Sequence, residues 1–314
     1  MSQMGIPELN STLSERGIAC EYGVSLARHT TFRIGGDAAL GIFPKSEAEA
    51  LLALSAVKES GVPLFVIGGG SNLLCPDSGY DGAVLFTGGL NEITFSEDAD
   101  GGVLVTVGAG ASLSALTKAT AERTLTGAEF LYGIPGTVGG AVVMNAGAYG
   151  GEVAGILVSS RYVDINAPDE ILERDLDAHL YGYRRSVYLG APCETVLSAT
   201  FRLSVGDKTA IHAEMKRLLK ERKEKQPLEF PSAGSFFKRP QGAFAGKLIE
   251  DCGLKGTRVG GAEISLKHAG FVINRGGATE RDVRRLAALV RERVFCETGY
   301  LLESEVRTMG GEPL

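Results

Sequence analysis

Two glycine-rich segments hold the first residues whose types and spacing could do chemistry. Gly68-Gly69-Gly70-Ser71-Asn72 follows the apolar run Leu64-Phe65-Val66-Ile67. Gly133-Ile134-Pro135-Gly136-Thr137-Val138-Gly139-Gly140 leads on to Asn145-Ala146-Gly147-Ala148-Tyr149-Gly150. Consecutive glycines let backbone N–H groups turn toward an anion with no Cβ in the way. Ser71, Asn72 and Thr137 can add side-chain hydrogen bonds. The bland alternative is a pair of tight turns; one such loop does not decide between the two, and the presence of both favours an anion. Other nucleotide and nucleophile patterns drop out. Gly68-x-Gly70-x-x-Leu73 lacks the third glycine of the Rossmann fingerprint. Neither the P-loop pattern nor a G-x-S-x-G elbow occurs. Ser55-Ala56-Val57-Lys58 fits S-x-x-K, but it lies inside an apolar helical stretch without partner motifs.

Three polar places stand out in the second half. In Tyr183-Arg184-Arg185-Ser186 an arginine fork suits a carboxylate or phosphate, and in isolation it reads as a surface ion pair. Ala233-Gly234-Ser235-Phe236-Phe237-Lys238 sets a serine between glycine and aromatics, which alone reads as a hydroxyl bonded in a turn. In Glu303-Ser304-Glu305-Val306-Arg307, strand alternation would send Glu303, Glu305 and Arg307 to one face. The plain reading is a solvated, salt-bridged face. Lys247 and Lys255, near His268, read as surface charges before anion contacts.

These residues need elements to hold them. Ser46-Glu47-Ala48-Glu49 has the capping-box pattern and opens a helix that ends before Gly61. Strand character follows at 64–67, 83–86, 103–107, 156–165 and 196–203, with a helix over 112–122. A long charged helix over 208–225 ends at Pro227, where a domain boundary is placed. Beyond it the pattern predicts a Gly/Phe-rich loop at 232–237, a helix near 243–251 and strands near 258–265 and 271–274. A helix capped by Thr279 then runs to about Phe295, and a last strand covers 300–307. The fold class is α+β with two functional halves.

Composition narrows the function. The chain has 314 residues and a net charge of −6, and its basic residues are mixed with acids, so no nucleic-acid tract is expected. An anionic substrate stays open, because a local field can oppose the net charge. No apolar run is long enough for a transmembrane helix, and Met1 to Asn10 has no signal-peptide pattern. The five cysteines, Cys20, Cys75, Cys193, Cys252 and Cys296, are scattered, with no C-x-x-C, and the four histidines form no H-E-x-x-H. That argues against disulfides and metal, and for a reducing cytoplasm.

Taken together, the segments resemble the UDP-N-acetylenolpyruvoylglucosamine reductase family of peptidoglycan synthesis. The resemblance runs from about Thr30 to Arg307. It includes Thr31-Phe32-Arg33-Ile34-Gly35-Gly36, both glycine loops, Tyr183-Arg184, Gly234-Ser235-Phe236-Phe237, Lys267-His268-Ala269-Gly270-Phe271 and Glu305-Val306-Arg307. Each is weak alone; their order and spacing are specific. The resemblance implies an FAD-binding region of the vanillyl-alcohol-oxidase type over 1–206, in two subdomains of about 1–80 and 81–206. It further implies a substrate-binding domain over 207–299 and a C-terminal segment, 300–314, returning to the active site. It implies non-covalent FAD, NADPH as hydride donor and a UDP-sugar substrate whose enolpyruvyl group is reduced. Gly68, Gly69, Gly70, Ser71, Asn72, Pro135, Gly136, Thr137, Gly139 and Gly140 would cradle the FAD. Carried over by motif, Arg184 is the catalytic arginine, Ser235 the proton donor and Glu305 the late glutamate, while Tyr149 and Arg239 join Arg184 and Ser235 as substrate contacts. Arg239 stands where some members have asparagine. The shorter subclass without the substrate-covering tyrosine loop is implied, as are a cytoplasmic monomer and no metal.

Rival readings remain at this point. An oxidase of the same fold often tethers its flavin through His or Cys, and Cys75 lies near the first glycine loop. An electron-transfer subunit would have no need of Arg184, Ser235 and Glu305. A nucleotide-sugar binding protein would lack flavin.

Overall fold

The computed structural model describes residues 5–98, 101–191, 193–310 and 314. The first residues of the N-terminal reading (1–4) and residues 311–313 of the 300–314 segment lie outside the described residues. The chain forms two compact units. One comprises Met1–Tyr22, Leu40–Gly69 and Gly82–Glu221; the other comprises Gly23–Ala39, Gly70–Asp81 and Arg222–Leu314.

The first unit carries an antiparallel sheet in the strand order Leu172–Asp175, Leu157–Asp164, Glu194–Val205, Val103–Gly108, Ile93–Glu97. Alternation sends Val105, Val107, Ala199 and Phe201 into one apolar cluster. The helices Leu113–Glu122 and Val138–Met144 cover it with Leu113, Leu116, Val138, Ala141 and Val142. A second cluster packs the helices Ile6–Glu15 and Glu47–Ser60 against Leu40, Ile42, Ala83 and Leu85. At the start of Glu47–Ser60 half of the expected capping box is built: Ser46 Oγ accepts from the Glu49 N–H at 3.2 Å, and Gly61 ends the helix at φ +71°. The Glu49 carboxylate reaches back to the Lys45 N–H, one residue before the cap. The strand Leu64–Ile67 runs parallel to Tyr80–Phe86 and delivers Gly68 at its end.

The second unit has an antiparallel sheet ordered Ser232–Ser235, Phe271–Asn274, Ala262–Ile264, Arg258–Val259. The helix Glu280–Thr298 lays Val283, Leu286, Ala287, Val290 and Val294 on the same core as Ala262, Ile264 and Val272. Thr279 and Asp282 form a full capping box at its start. Phe32 and Ile34 join this core, and the Asn274 amide donates to the Phe32 carbonyl at 3.1 Å.

Three local expectations differ. The segment 232–237 begins as the strand Ser232–Ser235, because residues 271–274 offer it an open edge. The strand expected over 300–307 is reduced to Arg307–Thr308, paired parallel with Leu73–Leu74. The chain changes partner there: the Glu305 N–H bonds the Phe236 carbonyl, and the Arg307 N–H bonds the Asn72 carbonyl. No continuous ladder forms there, although Leu302 and Val306 are buried while Glu303 and Arg307 are exposed, as alternation expects. The second glycine-rich segment, read as a backbone cradle for an anion, also contains the helix Val138–Met144.

Candidate active site

In the first unit the two glycine loops meet. A Cβ on Gly69 would lie 2.9 Å from Gly136 Cα, and one on Gly68 would run into Thr137 Oγ1. Only glycines permit this approach. Thr137 is the N-cap of Val138–Met144 yet makes no side-chain capping bond. Its hydroxyl is buried without a partner among the described residues, and so is that of Thr87. Both face Gly68, the Thr87 oxygen 3.8 Å from its would-be Cβ. Buried hydroxyls left unsatisfied are costly, and two of them beside glycine backbone suit the oxygens of a diphosphate. The residues therefore fit an FAD diphosphate. Thr87 carried no motif, although Thr87-Gly88-Gly89 repeats the strand-then-glycines arrangement of Ile67-Gly68-Gly69. Gly139 plays a different part: its N–H bonds the Ala109 carbonyl at 2.8 Å, so it is packed rather than aimed at a ligand. Pro135 and Gly140 are exposed beside the loop.

Two tight turns in the same unit hold Tyr149 and Arg184. Gly147–Ala148 pairs with Gly151–Glu152, leaving Tyr149-Gly150 as a two-residue loop. Both loop residues have positive φ, +54° and +88°, the pattern of a type I′ turn that favours Asn-Gly. Gly182 and Arg185 exchange backbone bonds of 3.1 Å around Tyr183-Arg184. Arg184 sits at φ +52°, in a turn position usually given to glycine. A side chain there costs roughly 1–2 kcal/mol. Arg184 Nη2 donates to the Gly147 carbonyl at 3.2 Å, which brings the two turns together.

Behind the Arg184 turn lies a buried polar chain. His179 Nδ1 donates to the Asp175 carbonyl at 2.8 Å, so Nε2 is left to accept from Ser160 Oγ at 2.8 Å. The Tyr188 hydroxyl then donates to Ser160 at 2.7 Å. Burial, aided by the charge of Arg174, holds the His179 pKa below its ordinary value. Arg174 forks onto Glu194 with two bonds of 2.9 Å and stacks between Tyr162 and Tyr188.

In the second unit a bulge presents Ser235. The register passes from Ser232↔Ile273 to Ser235↔Phe271, one residue too many on the serine strand. Gly234 absorbs it at φ +79°. Ala233 and Phe236 stay buried while Ser235 is exposed. Glu305 lies alongside, its N–H bonded to the Phe236 carbonyl at 2.9 Å. Asn72 Nδ2 donates to the Glu305 carbonyl at 3.1 Å, so Asn72 has a supporting role besides the one expected. Gly70 and Ser71 share this unit, and Gly70 packs on the His29–Thr30 backbone. The 31–36 motif braces the serine strand as well, since Thr31 Oγ1 donates to the Ser232 carbonyl at 2.7 Å. Arg239 lies over the Phe244 ring, 4.4 Å from its centroid.

Other candidates fall into place as structure. Lys247 pairs with Asp251 and Lys255 with Glu250, as surface charges do. Cys75 is fully buried against Gly35, and burial, together with the charge of Glu280, pushes its pKa up to about 12. A thiol in that environment is not a reactive tether. Among the described residues no cluster of three His, Cys, Asp or Glu could hold a metal, and no helix is long and apolar enough to cross a membrane.

Comparison with known proteins gives this geometry its context. Residues 38–166 match an FAD binding domain, and residues 226–309 match the C-terminal domain of UDP-N-acetylenolpyruvoylglucosamine reductase. The reductase of Lachnoclostridium phytofermentans is 44% identical over 310 residues, covering 99% of this chain and 98% of its own. That of Streptococcus thermophilus is 43% identical over 308 residues, covering 98% and 99%. The crystal structure of the Thermus caldophilus enzyme is 33% identical, with a TM-score of 0.75 over 93% of this chain and 98% of its own. With nearly full-length identity of this order and glycine loops that fit the flavin, the chain belongs to the UDP-N-acetylenolpyruvoylglucosamine reductase family, FAD-dependent oxidoreductases of peptidoglycan synthesis.

Proposed function

We propose that this chain reduces UDP-N-acetylglucosamine enolpyruvate to UDP-N-acetylmuramate with NADPH, and that Arg184, Ser235 and Glu305 carry the substrate's share of the chemistry. The observation that carries the residue assignment is the bulge at Gly234. It turns Ser235 outward while Glu305 is fastened to the neighbouring Phe236. When bound, FAD supplies the hydride chemistry and NADPH renews it. In the first unit the backbone at Gly68, Gly69, Pro135, Gly136 and Gly140 and the hydroxyls of Thr137 and Thr87 would hold its diphosphate, and by motif Gly70 and Ser71 are further expected contacts. Asn72 and Gly139 support those loops.

Reduction of an enol ether that bears a carboxylate places negative charge on the carbon next to the carboxylate. Arg184 is a permanent cation, fixed by its turn, that stabilises this charge more in the transition state than in the ground state. Glu305 orients the substrate carboxylate or, when protonated, donates to it. Ser235 gives its hydroxyl proton to the carbon. A serine is a poor acid, but the carbon is a strong base, so an aligned transfer suffices. Tyr149 and Arg239 contact the remainder of the UDP-sugar.

The chain works in the cytoplasm as a monomer. Its free cysteines support the first point, and analytical ultracentrifugation tests the second. The functional test is stopped-flow absorbance at the flavin band, with each half-reaction followed separately. Arg184→Ala, Ser235→Ala and Glu305→Ala should slow reoxidation by the enolpyruvyl substrate and spare reduction by NADPH. Equal slowing of both halves would refute the assignment.

A further inference from the structure

Arg184 keeps an unfavourable backbone conformation, so something must hold its turn in place. The helix Val138–Met144 begins at the glycine cradle and ends against that turn. Its last carbonyls lack helical partners, as at every helix end. Here side chains of the Arg184 segment take two of them, the Val142 carbonyl being shared with the Asn145 N–H. The Tyr181 hydroxyl donates to the Val142 carbonyl at 3.1 Å, and Ser186 Oγ donates to the Val143 carbonyl at 2.6 Å. From the other side Asn145, the left-handed cap of the helix, donates its amide to the Gly182 carbonyl at 3.1 Å. Its Oδ1 accepts from the Ala154 N–H at 3.0 Å. Asn145 and Ser186 are buried, and the Tyr181 ring is stacked on His179 at 5.0 Å. Tyr181 and Ser186 thus bracket the turn Gly182–Arg185 on both sides, and Asn145 fastens its first residue.

We propose that Tyr181, Ser186 and Asn145 are positioning residues for the reaction, a clasp that sets Arg184 relative to the glycine cradle through one short helix. The proposal rests on the assignment of Arg184 as the substrate-stabilising cation. None of the three need touch substrate; each acts by holding the turn that carries the guanidinium. Tyr181→Phe and Ser186→Ala are the sharpest probes, because each deletes one hydroxyl and introduces no charge.

The experiment measures flavin content and both half-reactions of the FAD-loaded enzyme by stopped flow. Each single variant should keep its flavin and its rate of reduction by NADPH. Each should lose about tenfold in the rate constant of reoxidation by saturating substrate, the size expected for one well-placed hydrogen bond. Ser186→Thr, which keeps a hydroxyl, should recover most of the rate. In an Arg184→Ala background, Tyr181→Phe and Ser186→Ala should have little further effect, since the group they position is gone. Reoxidation unchanged in both single variants would overturn the clasp. So would an equal loss with and without Arg184, because that pattern belongs to a general structural role. If Arg184→Ala itself leaves reoxidation unchanged, the assignment of Arg184 fails first and the clasp with it.

Discussion

In the first unit Arg184 itself occupies a left-handed conformation, at φ +52°, in a two-residue turn. In the second unit the left-handed residue is Gly234, at φ +79°, and Ser235 after it continues a strand. Both devices raise a polar side chain out of an otherwise regular surface, but the cost falls differently. Glycine adopts positive φ freely, so the bulge presents the serine without strain in the serine itself. For arginine and for Tyr149 the same backbone region costs roughly 1–2 kcal/mol each. At the arginine turn, bonds between the helix end and the flanking side chains are placed to offset that cost. In the proposed reaction the serine delivers a proton, which needs exposure and direction. The proposed role of the arginine, a cation against developing charge, also needs a fixed height.

The largest expected effect breaks the comparison at the serine. Ser235→Ala should keep fold, flavin and reduction by NADPH, and lose roughly 10²–10⁴-fold in reoxidation by substrate, the usual contribution of a placed general acid. Ser235→Cys should retain more activity, because a thiol can donate from nearly the same place. If Ser235→Ala reoxidises at the parental rate, the hydroxyl is only a turn ornament.

A smaller effect is expected at the residue that absorbs the bulge. Gly234→Ala forces a Cβ into the left-handed region, where open space spares it a clash. It should therefore cost roughly 1–2 kcal/mol by chemical denaturation and also slow reoxidation as Ser235 shifts. Unaltered stability would show that the bulge relaxes at no cost.

The strained turn should respond in the opposite sense. Tyr149→Asn places the favoured residue in a type I′ turn and should raise stability by roughly 0.5–1 kcal/mol, seen as a higher melting temperature. The affinity for the UDP-sugar should fall in the same variant. A protein no more stable than the parent would mean that the tyrosine conformation carries no strain.

The smallest effect is on pH. His179 and His268 are both held neutral chiefly by burial, with folded pKa values lowered from the ordinary value. The folded chain then binds fewer protons than the unfolded chain at acid pH. Stability should be level above about pH 6.5, the unfolded histidine value, and fall as pH drops below it. Denaturant midpoints at about pH 7.5 and pH 5 test this, the lower pH giving the lower midpoint; equal midpoints would contradict a neutral His179 in the Ser160 chain.

Much of the local structure was legible in the sequence. The capped helix starting after Ser46, the long helix Lys208–Lys225 and the capping box at Thr279 rest on short-range rules. The glycine loops were read as anion cradles because both are present, since either alone reads equally well as a tight turn. The misreadings share a cause. The segment 300–307 has the alternation of a strand, but its partners change midway, and pairing is decided by distant chain. The helix Val138–Met144 was hidden by the glycines that let its first turn press on Ala109.

By itself the sequence determined the residue types, the family and which side chains could do the chemistry, because charge, acidity and glycine freedom are properties of residues and short motifs. Only the tertiary structure decided how those residues are held. It assigned Gly23–Ala39 and Gly70–Asp81 to the same unit as the C-terminal residues. It set Glu305 beside the serine strand through its N–H bond to the Phe236 carbonyl, and tied it to Asn72, more than two hundred residues earlier. It also left the hydroxyls of Thr87 and Thr137 buried and unpartnered beside Gly68. Such relations depend on which distant segments bury each other's apolar faces and satisfy each other's backbone groups, and no local pattern records that outcome.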